Sequence, residues 1–226
     1  MGCECQRVED SFDEITASDK KFKKKKNSSV STDEIHNKNN NKIQPSIPVI
    51  DIYAEPEDNF SKYIFKQINK LRENPQSFIN IIQNAKRNII KLKGINVYKS
   101  SVKVALNNGE SAFDDAIRIL QKTEPMDKLI FNPKFVIDLP TNESELRSGD
   151  YLSSQANNKI ESGIDIKSFW KDVVKDPVSC IILTIVDDSG RNAGKKRQDI
   201  LNRNNKYIGI SSKEIGKTFA CYIVLG

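Results

Sequence analysis

The chain is poor in the side chains on which many enzymes and metal proteins depend. Its 226 residues contain one histidine, His36, and four cysteines, which are Cys3, Cys5, Cys180 and Cys221. This cysteine spacing fits neither a disulfide framework nor a zinc motif. His36 lies in an asparagine-rich stretch and is the single histidine. The rest of the chain therefore has no histidine to bind a metal or to activate a Ser or Cys nucleophile. We therefore expect no cofactor, no metal site and no catalytic residues.

Long apolar runs are also missing. No stretch approaches the ~20 consecutive apolar residues that cross a bilayer, and no signal-peptide core follows Met1. The apolar share of 37% is low for a chain that folds along its whole length. These features predict a chain that does not cross a bilayer and that is disordered in one part.

Positive charge is concentrated in the second part of the chain. Residues 1–59 carry 9 Lys and Arg against 12 Asp and Glu, whereas the remainder carries 27 against 18. A basic domain favours anionic partners such as lipid headgroups, nucleic acid or acidic protein. We expect no nucleic acid, because the most basic loop of this part lacks aromatic residues for base stacking.

The N-terminal sequence Met-Gly-Cys-Glu-Cys predicts lipidation, with Gly2 as myristoyl acceptor and Cys3 and Cys5 as palmitoyl acceptors. One myristoyl chain binds a membrane only marginally, so stable anchoring takes a second signal. A cluster of lysines supplies charge attraction to an anionic leaflet: Lys20, Lys21, Lys23, Lys24, Lys25 and Lys26. Gln6 stands where Ser or Thr is usual, and the alternative of a chance match beside a solvated lysine run stays open.

Composition divides the chain into two parts. We predict that residues 1–58 form a disordered, lipidated tail, which holds the chain on the cytoplasmic face of the plasma membrane, and that residues 59–226 fold. Apolar spacing predicts a helix that begins at Asp58 or Asn59, a second from Pro75 to Gly94 and a third after Gly109. Residues 141–165 show no clear period and predict a loop.

The C-terminal third has a recognisable order: an acidic pair, a glycine-bounded loop, a basic helix start and a closing hairpin. This order resembles the CAP superfamily of SCP-like domains, in a branch that reads Asp-Asp-Gly, then Arg-Gly-His-Arg, then a Gly-Ile strand. The matching residues are Asp187, Asp188, Gly194, Gly209 and Ile210. The resemblance implies an α+β fold, specifically a three-layer α-β-α sandwich over residues 59–226. It also implies that the apolar run 178–186 is a helix, although its β-branched residues favour a strand.

CAP domains often hold a divalent metal in a cleft between two histidines and two acidic residues. On the resemblance, Lys195 takes the position of one histidine and Ser168 that of a glutamate, and no residue replaces the second histidine. A lysine ammonium repels a cation. The resemblance therefore implies a vacated cleft at Ser168 and Lys195, without metal.

The basic loop after the acidic pair is predicted to contact anionic lipid through Arg191, Lys195, Lys196 and Arg197; a solvated helix face is the alternative. Together these features predict a membrane-tethered, non-catalytic domain that binds an anionic membrane surface and a protein or lipid ligand. Two alternatives remain. One is a soluble scaffold without an anchor, and the other is a hydrolase of unknown type, which converging carboxylates and a desolvated Lys195 would favour.

Overall fold

The computed structural model describes residues 54–148 and 150–226, which all belong to one compact unit. This part is mixed α+β, with seven α-helices and two sheets. The lipidation residues Gly2, Cys3 and Cys5 lie outside the described residues. So do the lysines predicted to contact lipid in the tail: Lys20, Lys21, Lys23, Lys24, Lys25 and Lys26.

Helices and strands alternate irregularly along the chain. The helices are α1 (Asn59–Glu73), α2 (Ile79–Lys86), α3 (Glu110–Lys122), α4 (Glu143–Arg147), α5 (Asp150–Glu161), α6 (Pro177–Val186) and α7 (Lys195–Ile200). The strands are β1 (Ile89–Leu92), β2 (Ile95–Lys99), β3 (Lys103–Leu106), β4 (Ile130–Phe131), β5 (Ser168–Asp172), β6 (Tyr207–Ile215) and β7 (Thr218–Leu225). Short 3₁₀ turns lie at Pro75–Phe78, Pro133–Phe135 and Gly190–Asn192.

The predicted first helix is confirmed as α1. Asp58 caps it by accepting a hydrogen bond from the Ser61 backbone N–H at 2.8 Å. Its carboxylate also accepts from the Ser212 hydroxyl at 2.6 Å. Pro56 is also buried. Pro56 and Asp58, which precede the predicted boundary at residue 59, therefore pack with the folded domain.

The apolar run 178–186 is helical, as the resemblance predicted against strand propensity. Asp176 caps α6 through the Ser179 N–H, and Pro177 occupies the first turn, where its missing N–H costs nothing. The helix can be apolar on nearly all sides because most of it is buried in the core.

The larger sheet has the order β4-β6-β7-β5, and only the β4–β6 pair is parallel. Alternate residues of β7 enter two different core clusters. Cys221 and Ile223 pack with residues of α1, α2, α3 and α6. Tyr222 and Val224 pack with residues of α4 and α5. The strand is therefore buried on both faces, which explains its almost continuous apolar sequence.

Two predictions about local structure are wrong. The second helix ends at Lys86 instead of Gly94, and Gly94 is part of the turn of a hairpin. Residues 141–165 contain α4 and α5, which the sequence hides because α5 has a single buried residue, Ala156. A helix with so narrow a buried face shows little apolar periodicity.

The close approach at Gly209 yields a test of the fold. A Cβ at this position would lie 2.3 Å from the carbonyl carbon of Phe135, so we expect Gly209→Ala to lower the free energy of unfolding by about 2–3 kcal/mol. Gly163→Ala is the control. Gly163 has a φ of +86° but open space around it. An alanine there should therefore lower the free energy of unfolding by only about 1 kcal/mol, through backbone strain alone. Urea unfolding measures both, and equal losses would contradict this packing.

Candidate functional site

An ion pair between Lys196 and Asp172 lies at the centre of the candidate site. The ammonium Nζ is 2.5 Å from Oδ1 of Asp172, and the two side chains are only 22% and 12% exposed. Asp172 is the last residue of β5, and Lys196 is the second residue of α7. The pair therefore fastens the start of α7 to an edge strand of the larger sheet.

The second oxygen of Asp172 is also occupied. Oδ2 accepts hydrogen bonds from Trp170 Nε1 and from Thr184 Oγ1, each at 3.0 Å. Three donors therefore converge on one carboxylate, and they come from β5, α6 and α7. Such a carboxylate holds elements together and has little free acceptor capacity for a ligand.

Lys196 stays charged in this environment. Burial disfavours the ammonium, but the negative charge of Asp172 and its hydrogen bond, together with the charge of Asp187, outweigh burial, so the pKa of Lys196 is raised. A lysine that remains protonated at neutral pH cannot act as a general base or as an amine nucleophile.

Asp187 shapes the loop that delivers Lys196. It ends α6 in a left-handed conformation with φ of 47° and is buried. Its carboxylate accepts from the Ser189 hydroxyl at 2.7 Å and from the Lys196 backbone N–H at 2.8 Å. The side chain thus closes residues 187–196 onto the first turn of α7.

Asp188 performs a similar task at another helix. Its carboxylate accepts from the Asn108 backbone N–H at 2.9 Å, from the Asn108 amide at 2.6 Å and from the Gly109 N–H at 3.3 Å. These donors lie at the start of α3, where a carboxylate is stabilising. Both carboxylates of the acidic pair thus have a structural role, because they bind helix ends and loop backbone.

The prediction that Arg197 contacts lipid is wrong, because its side chain is buried. It is 2% exposed, and Nη1 donates to the carbonyl oxygens of Ile185 and Val186 at 2.8 and 2.9 Å. Its Nη2 donates to Asp115 of α3 at 2.5 Å. The guanidinium satisfies the last carbonyls of α6, so it cannot reach a membrane while the domain is folded. The predicted lipid contact of Lys196 is also wrong, because Asp172 holds its ammonium in an ion pair.

A second buried arginine, Arg72, was not assigned a role from the sequence. It is 1% exposed and donates only to carbonyl oxygens: those of Asp127, Ile200, Asn202 and Asn205, at 2.5–3.2 Å. Burial lowers the pKa of Arg72 to about 10, so the guanidinium still carries its charge at neutral pH. Its spacing was a usable signal, because Arg72 follows Ile64 and Ile68 on the apolar face of α1.

The other predicted site residues lie apart from the ion pair. Lys195 is 62% exposed and pairs with Asp199 at 2.9 Å, one helical turn away. Arg191 is exposed in the 3₁₀ turn. Ser168 begins β5 and its buried hydroxyl has no partner among the described residues. No described contact joins Ser168 to Lys195, and the lysine that reaches β5 is Lys196.

The two thiols of the domain are core residues. Cys180 and Cys221 are 1% and 0% exposed. Burial raises the pKa of both thiols. Because the thiolate is the nucleophile, a buried thiol of raised pKa is chemically inert at neutral pH.

A cavity of about 860 Å³ opens where β6 begins and β7 ends. Lys134, Lys167 and Lys206 line it together with Tyr207, whose ring stacks on Phe135 at 5.9 Å. Asn205 also lines it and has an unpartnered buried Oδ1. Lys167 pairs with Asp165, another lining residue, at 2.6 Å, so Lys134 and Lys206 supply the positive charge of this concave surface. It differs from the position at Lys196, which is filled by its own ion pair.

Comparisons with protein-family models, with curated proteins and with solved structures found no match. Within residues 54–148 and 150–226, no three His, Cys, Asp or Glu side chains are grouped so that they could hold a metal ion. No helix in the same ranges combines the length and apolar character needed to span a membrane.

The effects of substituting Lys196 and Asp172 on the free energy of unfolding should not be additive, because the two residues form an ion pair. Lys196→Met leaves the Asp172 charge unpaired and should lower the free energy of unfolding by about 3 kcal/mol. Lys196→Met combined with Asp172→Asn should recover most of this loss, because the asparagine oxygen still accepts from Trp170 and Thr184. Urea unfolding of both single variants and the double variant gives the coupling energy. The exposed pair supplies the control, since Lys195→Met should cost less than about 1 kcal/mol.

The same coupling energy should depend on pH with a defined sign. A raised pKa means that Lys196 contributes its full stabilisation below the ordinary lysine value of 10.5 and loses it as pH rises through the folded-state pKa. The coupling should therefore be constant from pH 7 to 9 and decline only above the ordinary value. A decline within the neutral range would contradict the assigned charge state.

Proposed function

We propose that residues 59–226 form a divergent CAP-like domain, a three-layer α-β-α sandwich without metal or catalytic activity. We also propose that a lipidated tail holds this domain on the cytoplasmic face of the plasma membrane, where it binds a protein or lipid partner. The Lys196–Asp172 ion pair is the observation that carries the non-catalytic part. It places an ammonium and a three-donor carboxylate in mutual contact, so neither group is free for substrate.

Two features of the fold support the sandwich. Helices pack on both faces of the larger sheet, because alternate residues of β7 enter different clusters. The apolar run 178–186 is a helix, as the resemblance implied and strand propensity did not. The order of α6, the acidic pair, α7 and the β6–β7 hairpin is the order of the family's closing unit.

The structure favours a different ligand position from the predicted vacated cleft. The sheet end near Lys196 is filled by its own ion pair. The cavity beside β6 is open and edged by Lys134 and Lys206, and by Lys167, which pairs with Asp165. An anionic group of a partner would gain charge-assisted hydrogen bonds there. We propose this cavity as the binding position for the partner.

Thiol reactivity tests the hydrolase alternative. We expect Cys180 and Cys221 to react with iodoacetamide at least about a thousandfold more slowly in the folded protein than in urea, because labelling requires opening of the core. The full chain with Cys3→Ser and Cys5→Ser removes the tail thiols from the measurement. Rapid labelling of either core cysteine in the native protein would favour a nucleophile and oppose the non-catalytic proposal.

Removal of the acyl acceptor tests the tether. In cells, Gly2→Ala should shift the full chain from the membrane fraction to the soluble fraction by tenfold or more, since a myristoyl chain supplies part of an anchor that needs two signals. Ser11→Ala serves as the matched tail control and should stay on the membrane. Unchanged membrane association of Gly2→Ala would oppose the tether, and intact-mass measurement of the N-terminus identifies the attached groups directly.

A further inference from the structure

The smaller sheet projects a face that no core cluster covers. Strands β1, β2 and β3 form an antiparallel sheet whose first turn is Lys93-Gly94, with φ of 50° and 85°. Two consecutive positive φ values are typical of the tight turn that joins neighbouring strands of a hairpin. The register of the strands therefore fixes which residues share each face.

One face of this sheet packs on the domain. Ile89 lies opposite Tyr98, and Asn96 lies opposite Leu106. Tyr98 and Leu106 are 2% and 6% exposed and belong to the main core cluster. The residues between them along each strand must point to the other side.

The outer face is apolar at its tip. Leu92 lies opposite Ile95, and Ile90 lies opposite Val97. Leu92 and Ile95 are 45% and 54% exposed, among the few large apolar side chains so exposed in the described part. None of these four residues belongs to either core cluster or to the residues packed against it. A paired, solvent-exposed apolar tip is a surface that gains free energy on leaving water.

The same sheet carries positive charge without balancing acid. No Asp or Glu occurs between residues 86 and 106. Within the described part, no carboxylate pairs with any of the exposed cations of this stretch, which are Arg87, Lys91, Lys93, Lys99 and Lys103. Lys99 and Lys103 even lie directly opposite each other, an arrangement that repels. An anionic partner would relieve that repulsion.

We propose that this outer face is a membrane-contact surface, which inserts Leu92 and Ile95 between the headgroups of an anionic bilayer while the surrounding lysines bind lipid headgroups. The outer face is apolar at its tip, at Leu92 and Ile95, and cationic at its other end, at Lys99 and Lys103. A face with both characters fits a bilayer interface, where the acyl boundary and anionic headgroups lie side by side. Nucleic acid fits less well, because the outer face offers no aromatic ring for stacking and Tyr98 points inward. A second copy of the chain fits less well too, because it would bring further lysines against Lys99 and Lys103. The inference deepens the proposed membrane tether and rests on it.

Vesicle binding by the unacylated full chain tests this surface. The probes are vesicles of phosphatidylcholine alone and with phosphatidylserine. We expect Leu92→Ser with Ile95→Ser to lower the partition coefficient on phosphatidylserine vesicles by about tenfold or more. The matched control is Ile160→Ser with Val173→Ser, whose side chains are 46% and 54% exposed and which should bind like the unmodified chain.

Charge is tested separately. Lys99→Gln with Lys103→Gln should lower the partition coefficient by about 30-fold, on the basis of two lysines near an anionic surface. The control is Lys213→Gln with Lys217→Gln, two exposed lysines of the β6–β7 hairpin, which should have little effect. Circular dichroism of each variant confirms that the domain is folded, since all eight side chains lie at the surface.

Insertion has its own readout. An Ile95→Trp variant should be quenched by lipids brominated on the acyl chains, whereas Trp170, which is 8% exposed, should not be. If the full chain binds and the hairpin variants bind equally well without quenching, the surface is refuted and the tether stands. If the full chain binds no anionic vesicle and acylation of Gly2 is absent, both proposals fall. Retention on a single-stranded oligonucleotide without vesicle binding would overturn the membrane assignment in favour of nucleic acid. Dimerisation that is lost in Leu92→Ser would overturn it in favour of a second copy of the chain.

Discussion

Every cation that this domain takes into its interior must find an acceptor there, and three such cations hold the C-terminal loops in place. Arg72 joins α1 to the carbonyls at the end of α7 and the segment after it. Arg197 joins the end of α6 to α3, and Lys196 joins α7 to β5. Removal of any one would leave buried carbonyls or a carboxylate without a partner, which costs more than the bond itself contributes.

This constraint divides the positive charge of the domain into two populations. Each cation of the interior population is bound by fixed acceptors, although Nε of Arg197 has no partner among the described residues, and the population has little attraction left for an external anion. The exterior population is spread over the surface, and on the smaller sheet no carboxylate of the described part forms an ion pair with Lys99 or Lys103, which lie opposite each other. A count of basic residues along the sequence cannot separate the two, and this is why the stretch 191–197 looked like the membrane surface.

The sequence was informative where one physical cause determined the structure. Asp58, Asp176 and Pro177 are ordinary helix-start residues, and they begin α1 and α6 as expected. The inward position of Lys196 was also readable in principle. It lies one helical turn before the buried Ile200, whereas Lys195 and Asp199 form a pair on the exposed side. The pairing of β5 with α7 was not readable, because it joins residues far apart in the chain that no local pattern connects. The smaller sheet was missed because Ile89 and Ile90 fit a helix stripe as well as a strand, and Lys93-Gly94 is a weak turn signal.

The two proposed membrane contacts have a joint consequence that neither has alone. A single acyl chain and a small basic apolar tip are each weak anchors, but in one chain the second contact becomes intramolecular once the first has formed. Its effective concentration is then set by the length of the connecting segment, and the combined affinity can exceed either one by a factor of about 10²–10⁴. The orientation of the domain would follow as well, because a sheet face on the bilayer fixes which other surfaces remain accessible. No residue of β1–β3 lines the cavity beside β6, so the proposed lipid contact and the proposed partner site use different residues.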